Sequence, residues 1–484
     1  MTFSIRPQDI TLLKEIHRFA LSQKAKLYIV GGYLRDILSK RQKDNPDIDF
    51  CLSGESLRFG RKLASRIGAG FVVLDKEHGC CRLVKRIKDK IYTLDFADFR
   101  AATLKGDLLH RDFTINSLAI GLLEAVSNKD LSGLIIDPYH GRQDMQKKII
   151  RVVNHKSFDE DPLRILRAFS LACIFGFKID QGTLKLIKAK KNKLSVVSWE
   201  RIRDELFKIL HRPNAFGYLK DLDKLRILNL VMPEIEVMRG VNQGPYHHLD
   251  VFKHSLETVS QLEIIIQEYK DDRDVDNYLN AVISGQRQRR SLIKLGAFLH
   301  DIGKPGARRR KGNKTIFHGH ERIGAEITKI IAKRLKLSNE ELAALRKMVF
   351  WHLRPGYMGD SKILTARAKF RYFRDCAEEA ASVLLLSLAD QRSTRGPLTC
   401  RQSRLRHEEV VSGLIKEYFR KLKEKKMPRL VNGDELIRKF RLKPSPLFGK
   451  ILSRLEELQA TGRLKSKAQA LEAARKIITK EARK

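Results

Sequence analysis

Asp47 and Asp49 stand two residues apart in the run Asp-Ile-Asp-Phe-Cys-Leu, whose pattern predicts a strand. Alternate side chains of a strand share a face, so both carboxylates point the same way, about 6–7 Å apart. Two such charges repel unless a cation lies between them, and hard oxygen ligands suit Mg2+. Paired Mg2+ ions about 3.5–4 Å apart serve phosphoryl and nucleotidyl transfer. A solvated sheet edge carrying two acids is the plainer alternative. Asp95, on another predicted strand, is available as a third carboxylate.

Upstream, the apolar strand Leu27–Val30 runs directly into Gly31-Gly32 and then into a helix carrying Arg35 and Asp36. Glycines let the backbone approach an anion, and a helix start offers free N–H groups, so the unit reads as a phosphate site. Taken alone, a strand-turn-helix with two glycines is more often only a tight turn. Further on, Asp161 and Arg164 are three apart in Glu-Asp-Pro-Leu-Arg and on a helix would share a face. The Asp would accept from the exocyclic amine of cytosine or adenine, and the Arg would donate to the adjacent ring acceptor. Uracil and guanine carry a carbonyl there and would face an unpaired carboxylate. Arg167 lies near the same face and is expected to serve the base or the phosphates. A surface ion pair is the alternative. Downstream, His254, His300-Asp301 and Asp390 fall in the order H…HD…D, with Lys304, His320 and His352 between them.

These residues need elements to hold them. The 484 residues suggest about three domains. Residues 1–150 alternate strand-like runs (27–30, 48–52, 71–74, 82–84, 91–96) with helical ones. Residues 151–239 show helical spacing, 240–400 hold the histidine-rich helices, and 401–484 are helical and dense in Lys and Arg. The fold class is therefore α+β: a mixed-sheet amino-terminal head followed by mainly helical domains. The stretch 271–291 is expected to be an exposed polar insertion. The formal charge of +39 points to a polyanionic partner such as nucleic acid. No run approaches the ~20 apolar residues of a membrane span, and the charged amino-terminal stretch predicts no signal peptide. Six cysteines without a CxxC pair read as reduced thiols of a cytoplasmic protein.

Four motifs occur in order: GGYLRD, DIDF, RDFTINSLAI (111–120) and EDPLRILRA (160–168). The set resembles the bacterial tRNA nucleotidyltransferase / poly(A) polymerase family. That resemblance implies Mg2+ on Asp47 and Asp49. It also implies Gly32, Arg35 and Arg111 around a nucleoside triphosphate, with Asp112 and Asn116 at its ribose side. The histidine segment resembles the HD domain of metal-dependent phosphohydrolases. By that likeness His254, His300, Asp301 and Asp390 ligate a divalent metal, and Lys304, His320 and His352 stand ready for phosphate. Imidazole with carboxylate suits Mn, Fe, Ni or Co. Residues 431–437 and the run KPSPLFGKILSRLEELQATGRL resemble the tail of HD-containing tRNA nucleotidyltransferases.

The resemblance assigns 1–150 to a catalytic head, 151–239 to a neck that reads the base, 240–400 to the HD domain and 401–484 to a tRNA-binding tail. The implied activity is template-independent addition of C, as CC or as part of CCA, to the tRNA 3′ end from CTP and ATP. Poly(A) polymerase, or a phosphohydrolase acting mainly through the HD site, are the alternatives. Three departures stand out. The family often has another Arg where this chain has Ser170, and often Gly-Pro where it has Ser445-Pro446. Between FADFR and DLLHRD lie only residues 101–106, where CCA-building members usually carry a longer loop linked to switching from CTP to ATP. That brevity resembles enzymes adding CC alone.

Overall fold

In the amino-terminal head, period-2 alternation sends every second side chain of each strand into one core. The strands are β1 (Leu27–Val30), β2 (Asp47–Leu52), β3 (Gly70–Asp75), β4 (Cys80–Ile87), β5 (Lys90–Asp98) and β6 (Ala119–Gly121). They form a six-stranded sheet in the order β3-β4-β5-β2-β1-β6. The β2–β5 pairing is parallel and the others are antiparallel, so the expected mixed sheet is present. The parallel pair requires a crossover, supplied by the helix Ser56–Ile67 and the β3–β4 hairpin. Ile48, Phe50, Tyr92, Leu94 and Phe96 turn inward against Leu13 and Ile16 of the helix Pro7–Ser22. Phe50 and Phe96 stack with ring centroids 4.7 Å apart. Burial of those residues leaves Asp47, Asp49 and Asp95 on the opposite face.

The computed structural model describes residues 3–312, 314–361, 363–424, 428–441 and 446–482. Two compact units divide at Ile209/Leu210. The first adds helices Ser157–Glu160, Arg164–Phe175, Gln181–Lys190 and Trp199–Leu210 to the head.

One expectation fails here. Asp161 and Arg164 are not on a common helix: Asp161 is extended (φ −147, ψ 100), after one helix ends and before the next begins at Arg164. Pro162 is the reason, because a proline's ring disfavours helical geometry in the residue before it.

The second unit is helical. Helices Val251–Glu268, Arg289–Leu299, Asn339–Trp351 and Ala380–Ser393 carry or adjoin the histidines, and Arg401–Lys423 packs against Ala380–Ser393. The stretch 271–291 is not the exposed insertion expected. It forms the helix Arg273–Asn280 and a short hairpin, with Val275 and Leu279 buried and Arg289 paired to Glu379. Val275 and Leu279 are four apart and share one helix face, a spacing masked by the surrounding charges. Helices Gly433–Phe440, Pro446–Ala460 and Lys467–Ala482 enclose a small core around Leu436, Ile451 and Leu455. Ser445, a departure from the family pattern, lies outside the described residues. Among the described residues no helix is long and apolar enough to cross a membrane.

Candidate active site and metal centre

Strand register places four residues in one row: Val30 opposes Asp49, Asp49 opposes Asp95, and Asp95 opposes Arg82. Opposed residues of neighbouring strands project to the same face, so both carboxylates and the guanidinium emerge together. Asp47 joins them two residues before Asp49. Gly31 follows Val30 with φ +74, a conformation a side chain resists. A Cβ there would lie 2.8 Å from Arg111 Nη1 and 3.3 Å from Asp49 Oδ2. The glycine turn, the acid and Arg111 thus converge on one point.

Around that point runs a hydrogen-bonded chain. Arg35, 9% exposed, donates from Nη1 to Asn116 Oδ1 at 2.6 Å. Asn116 Nδ2 donates to Asp112 Oδ1 at 2.9 Å, and Arg167 Nε pairs with Asp112 Oδ2 at 2.9 Å. Arg35 also clasps Asp36, at 2.9 and 2.7 Å. Four residues expected at a nucleotide, distant in the chain, therefore form one continuous network from Arg35 to Arg167.

The electrostatics favour a cation. Burial pushes Asp49 up to about 6, Arg111 opposes that rise, and Asp47 and Asp95 add to it. A carboxyl that is costly to ionise beside two others is where a divalent ion relieves the most repulsion. Asp95 has a partner already, accepting from Arg82 Nε at 2.8 Å and Nη2 at 2.7 Å. The residues present fit Mg2+, with Asp47 and Asp49 less engaged than Asp95.

Asp161 and Arg164 have separate partners as well as separate elements. Asp161 accepts from Arg201 Nη2 at 2.8 Å. Arg164, 6% exposed, spends its guanidinium on His110 O (2.7 Å), Ser157 O (3.2 Å) and Ser157 Oγ (2.8 Å). It ties the helical neck to the loop before β6, and a base-reading Arg at this position is not what the geometry offers. Ser170 is buried and donates to Glu205, whose second partner is Lys208 at 2.8 Å. The short segment 101–106 leads into the helix Leu104–Leu109, capped by Thr103 Oγ1 accepting from Gly106 N at 3.1 Å.

In the second unit the histidine cluster is compact. His254 Nε2 lies 3.0 Å from Asp390 Oδ1, and His300 Nε2 lies 3.2 Å from Asp301 Oδ2 and 3.6 Å from Asp390 Oδ1. On the other side of Asp301, Oδ1 lies 3.2 Å from His320 Nε2 and 3.6 Å from His352 Nε2. Two ligand groups result, His254–His300–Asp390 and Asp301–His320–His352, each with its ligand atoms within 4.8 Å of one another. His300, His320 and His352 each hydrogen-bond through Nδ1 to the carbonyl three residues earlier, at 2.8, 2.8 and 2.6 Å. That bond fixes the tautomer and presents Nε2 inward, as a metal ligand requires. Both Asp301 oxygens and His300 Nε2 are buried without a well-aligned hydrogen bond. Burial lowers the His300 pKa, but Asp301 and Asp390 outweigh it and hold the ring up to about 10. The two carboxylates favour a positive charge here; a divalent metal taking the place of the ring proton on His300 Nε2 would supply it, and the donor set fits one. Lys304 is not free for phosphate: its ammonium is 2.5 Å from Asp301 Oδ2 and 2.6 Å from Gln243 Oε1.

Family models match in the same order as these sites. The poly(A) polymerase head domain matches 27–151, the probable RNA- and SrmB-binding site of polymerase A matches 176–238, and the HD domain matches 251–395. The A-adding tRNA nucleotidyltransferase of Deinococcus radiodurans is 30% identical over 445 residues, covering 90% of this chain and 91% of that protein. The chain belongs to the tRNA nucleotidyltransferase family.

Another member of the family, the CC-adding tRNA nucleotidyltransferase of Geobacter sulfurreducens, is 29% identical over 92% of this chain and 90% of its own. Among solved structures, the Thermotoga maritima CCA-adding enzyme complexed with tRNA shares the fold, at TM-score 0.62 and 22% identity, covering 97% of this chain and 95% of that one.

Three residues of this tRNA nucleotidyltransferase family member went unread in the sequence. Arg82 is paired to Asp95 by strand register, a signal available only once β4 and β5 are known to be neighbours. Arg201 reaches Asp161 from 40 residues away. Asp107 is buried beside Arg111, 3.7 Å from its Nη2, and accepts from Arg100 N at 3.1 Å. No local pattern marked Arg201, whereas Asp107 stands four residues before Arg111, a local spacing that could have pointed to it.

Proposed function

We propose that this chain adds nucleotides to the 3′ end of tRNA without a template, from CTP and, as a second reading, ATP. The observation that carries the proposal is the convergence of Asp49, the Gly31 turn and Arg111 beside the Arg35–Asn116–Asp112–Arg167 chain. Mg2+ held by Asp47 and Asp49 would acidify the tRNA 3′-hydroxyl and neutralise charge at the α-phosphate. The Gly31-Gly32 turn, Arg35 and Arg111 hold the triphosphate, and the leaving pyrophosphate departs against those cations. Asp112 and Asn116 orient the ribose side. Asp161, extended, partly exposed and paired to Arg201, would accept from a cytosine or adenine amine. Arg167 is half-exposed and supports the base or phosphates from its anchor on Asp112.

CC addition is the leading reading, supported by a capped helix where a longer loop would otherwise stand. The identity with the Deinococcus A-adding enzyme favours addition of A as the second reading. The HD site would hold Mn, Fe, Ni or Co, which supplies a Lewis acid and an activated water for phosphoester hydrolysis. The basic tail suits an RNA backbone, and the reduced cysteines suit the cytoplasm.

The deciding assay supplies tRNA lacking its 3′ end with labelled CTP alone, ATP alone and both, and reads product lengths. Two added residues with both present establishes CC addition. A single A on tRNA already ending in CC establishes the second reading. Absence of incorporation under every condition removes the proposal.

A further inference from the structure

The first unit contains a cavity of about 400 Å³, lined from both the head and the helices that follow it, that shares no lining residue with the candidate active site. Its volume falls within the range of small-molecule sites. One wall is aromatic, made by Phe3, Phe175 and Phe177, with the last two rings 5.6 Å apart. The other is cationic, made by Arg41, Arg142 and Lys148, and among the described residues no carboxylate lines the cavity. Arg142 uses one Nη on Ser132 O at 2.7 Å, and Arg41 uses one on Ile174 O. A guanidinium has five N–H donors, so both retain capacity. Lys148 sits at the left-handed end of the helix Gly141–Lys147, with φ +56, and its ammonium has no partner among the described residues.

Three cations around one hollow repel one another unless an anion joins them, and an aromatic wall beside them offers a stacking surface. We propose that this cavity is a second nucleotide site, taking a free nucleoside phosphate with its base on the phenylalanine wall and its phosphates on Arg41, Arg142 and Lys148. A concave pocket of this size suits a small ligand, whereas RNA backbone is tracked along open basic surface.

The site is linked to the candidate active site through Phe175. Both Arg35, at 4.6 Å, and Arg41, at 5.3 Å, lie over its ring. A ligand that draws Arg41 or repacks Phe175 changes what supports Arg35, the start of the chain to Arg167. This coupling rests on the polymerising reading; the binding itself does not.

Equilibrium dialysis of the full chain with α,β-methylene-ATP tests the proposal, since that analogue binds without being transferred. Two bound equivalents are expected in the wild type. In an Arg142→Ala, Lys148→Ala double variant with an unchanged circular dichroism spectrum, one equivalent is expected to be lost or weakened roughly tenfold or more. Binding that the double variant leaves undiminished, whether the wild type takes up one equivalent or two, overturns the proposal, as does an absence of binding to the wild type; a single wild-type equivalent that the double variant loses assigns that equivalent to the cavity. Should the double variant fail to fold, Phe177→Leu preserves apolar volume and is expected to weaken the same equivalent, while unchanged binding there overturns it. Added tRNA lacking its 3′ end distinguishes RNA from free nucleotide: retention of the second equivalent supports the proposal, and its displacement reassigns the cavity to RNA. Because dialysis reads binding alone, failure of nucleotide addition leaves this result interpretable.

Discussion

Asp95 opposes Asp49 across the parallel pairing of β2 and β5, yet both its oxygens are held by Arg82, at 2.8 and 2.7 Å. One of three clustered carboxylates is thereby paired by the protein itself, whereas Asp47 and Asp49 have no such two-oxygen clasp and Asp49 has only the nearby charge of Arg111 against it. The two aspartates of the row are therefore unequal.

That inequality predicts unequal losses. Asp49→Asn is expected to reduce nucleotide addition by roughly 10³-fold or more and Asp95→Asn by about tenfold to a hundredfold, both with tRNA affinity retained. Single-turnover incorporation and filter binding check this. Equal losses would make Asp95 a full partner in metal binding and break the distinction.

Gly31→Ala tests the turn. The added Cβ meets Arg111 Nη1 at 2.8 Å and also occupies φ +74. Strain of about 1–3 kcal/mol is expected, with addition falling more than stability does because Arg111 and Asp49 must move apart. Thermal melts alongside incorporation assays measure the two effects, and unimpaired addition would contradict the convergence.

Arg164 and Asp161 are expected to part company on mutation. Arg164→Met strips donors from two backbone carbonyls and a buried hydroxyl, costing about 3 kcal/mol of stability. Asp161→Ala is expected to cost under about 1 kcal/mol, because its ion pair with Arg201 is partly exposed, while relaxing selection of CTP over UTP. Denaturant melts and paired incorporation assays separate them. A stable Arg164→Met protein with altered base selection would restore the shared-face reading.

The HD cluster predicts two metal equivalents sharing Asp301. His320→Ala with His352→Ala is expected to remove one equivalent of Mn or Ni, and His300→Ala to remove phosphoester hydrolysis, with nucleotide addition retained in each case. Elemental analysis of the purified variants decides. A single equivalent in the wild type would return His320 and His352 to a purely supporting role.

Asp112 gives a pH dependence with a definite sign. Burial works to raise its pKa, but Arg167, Asn116 and the Phe113 N–H outweigh it and hold the carboxyl below its ordinary value. Its contribution to stability is therefore complete above the unfolded value of about 4 and is lost as pH falls through the lower folded one. Asp112→Asn should be less stable than the wild type at neutral pH, with the gap closing below pH ~4. Urea midpoints at pH 7, 4 and 3 measure it, and a gap independent of pH would rule the charge out.

Period-2 alternation alone made Asp47 and Asp49 neighbours on a face, and the apolar strand entering two glycines located the turn. The order of His254, His300-Asp301 and Asp390 marked the second site before any helix was placed. Pro162 is equally legible, and it keeps Asp161 extended against the helical geometry that the spacing to Arg164 suggests. These features were legible because they depend on backbone geometry over a few residues.

What the tertiary structure alone decided depends on which distant segments become neighbours. Arg82 meets Asp95 through strand register, Arg201 meets Asp161 across 40 residues, and Arg164 turns to the carbonyl of His110. Asp301 stands between two histidine groups because four helices converge there. Register and helix packing are settled by burial of the whole core, so the partner of a charged side chain is not written in the residues beside it.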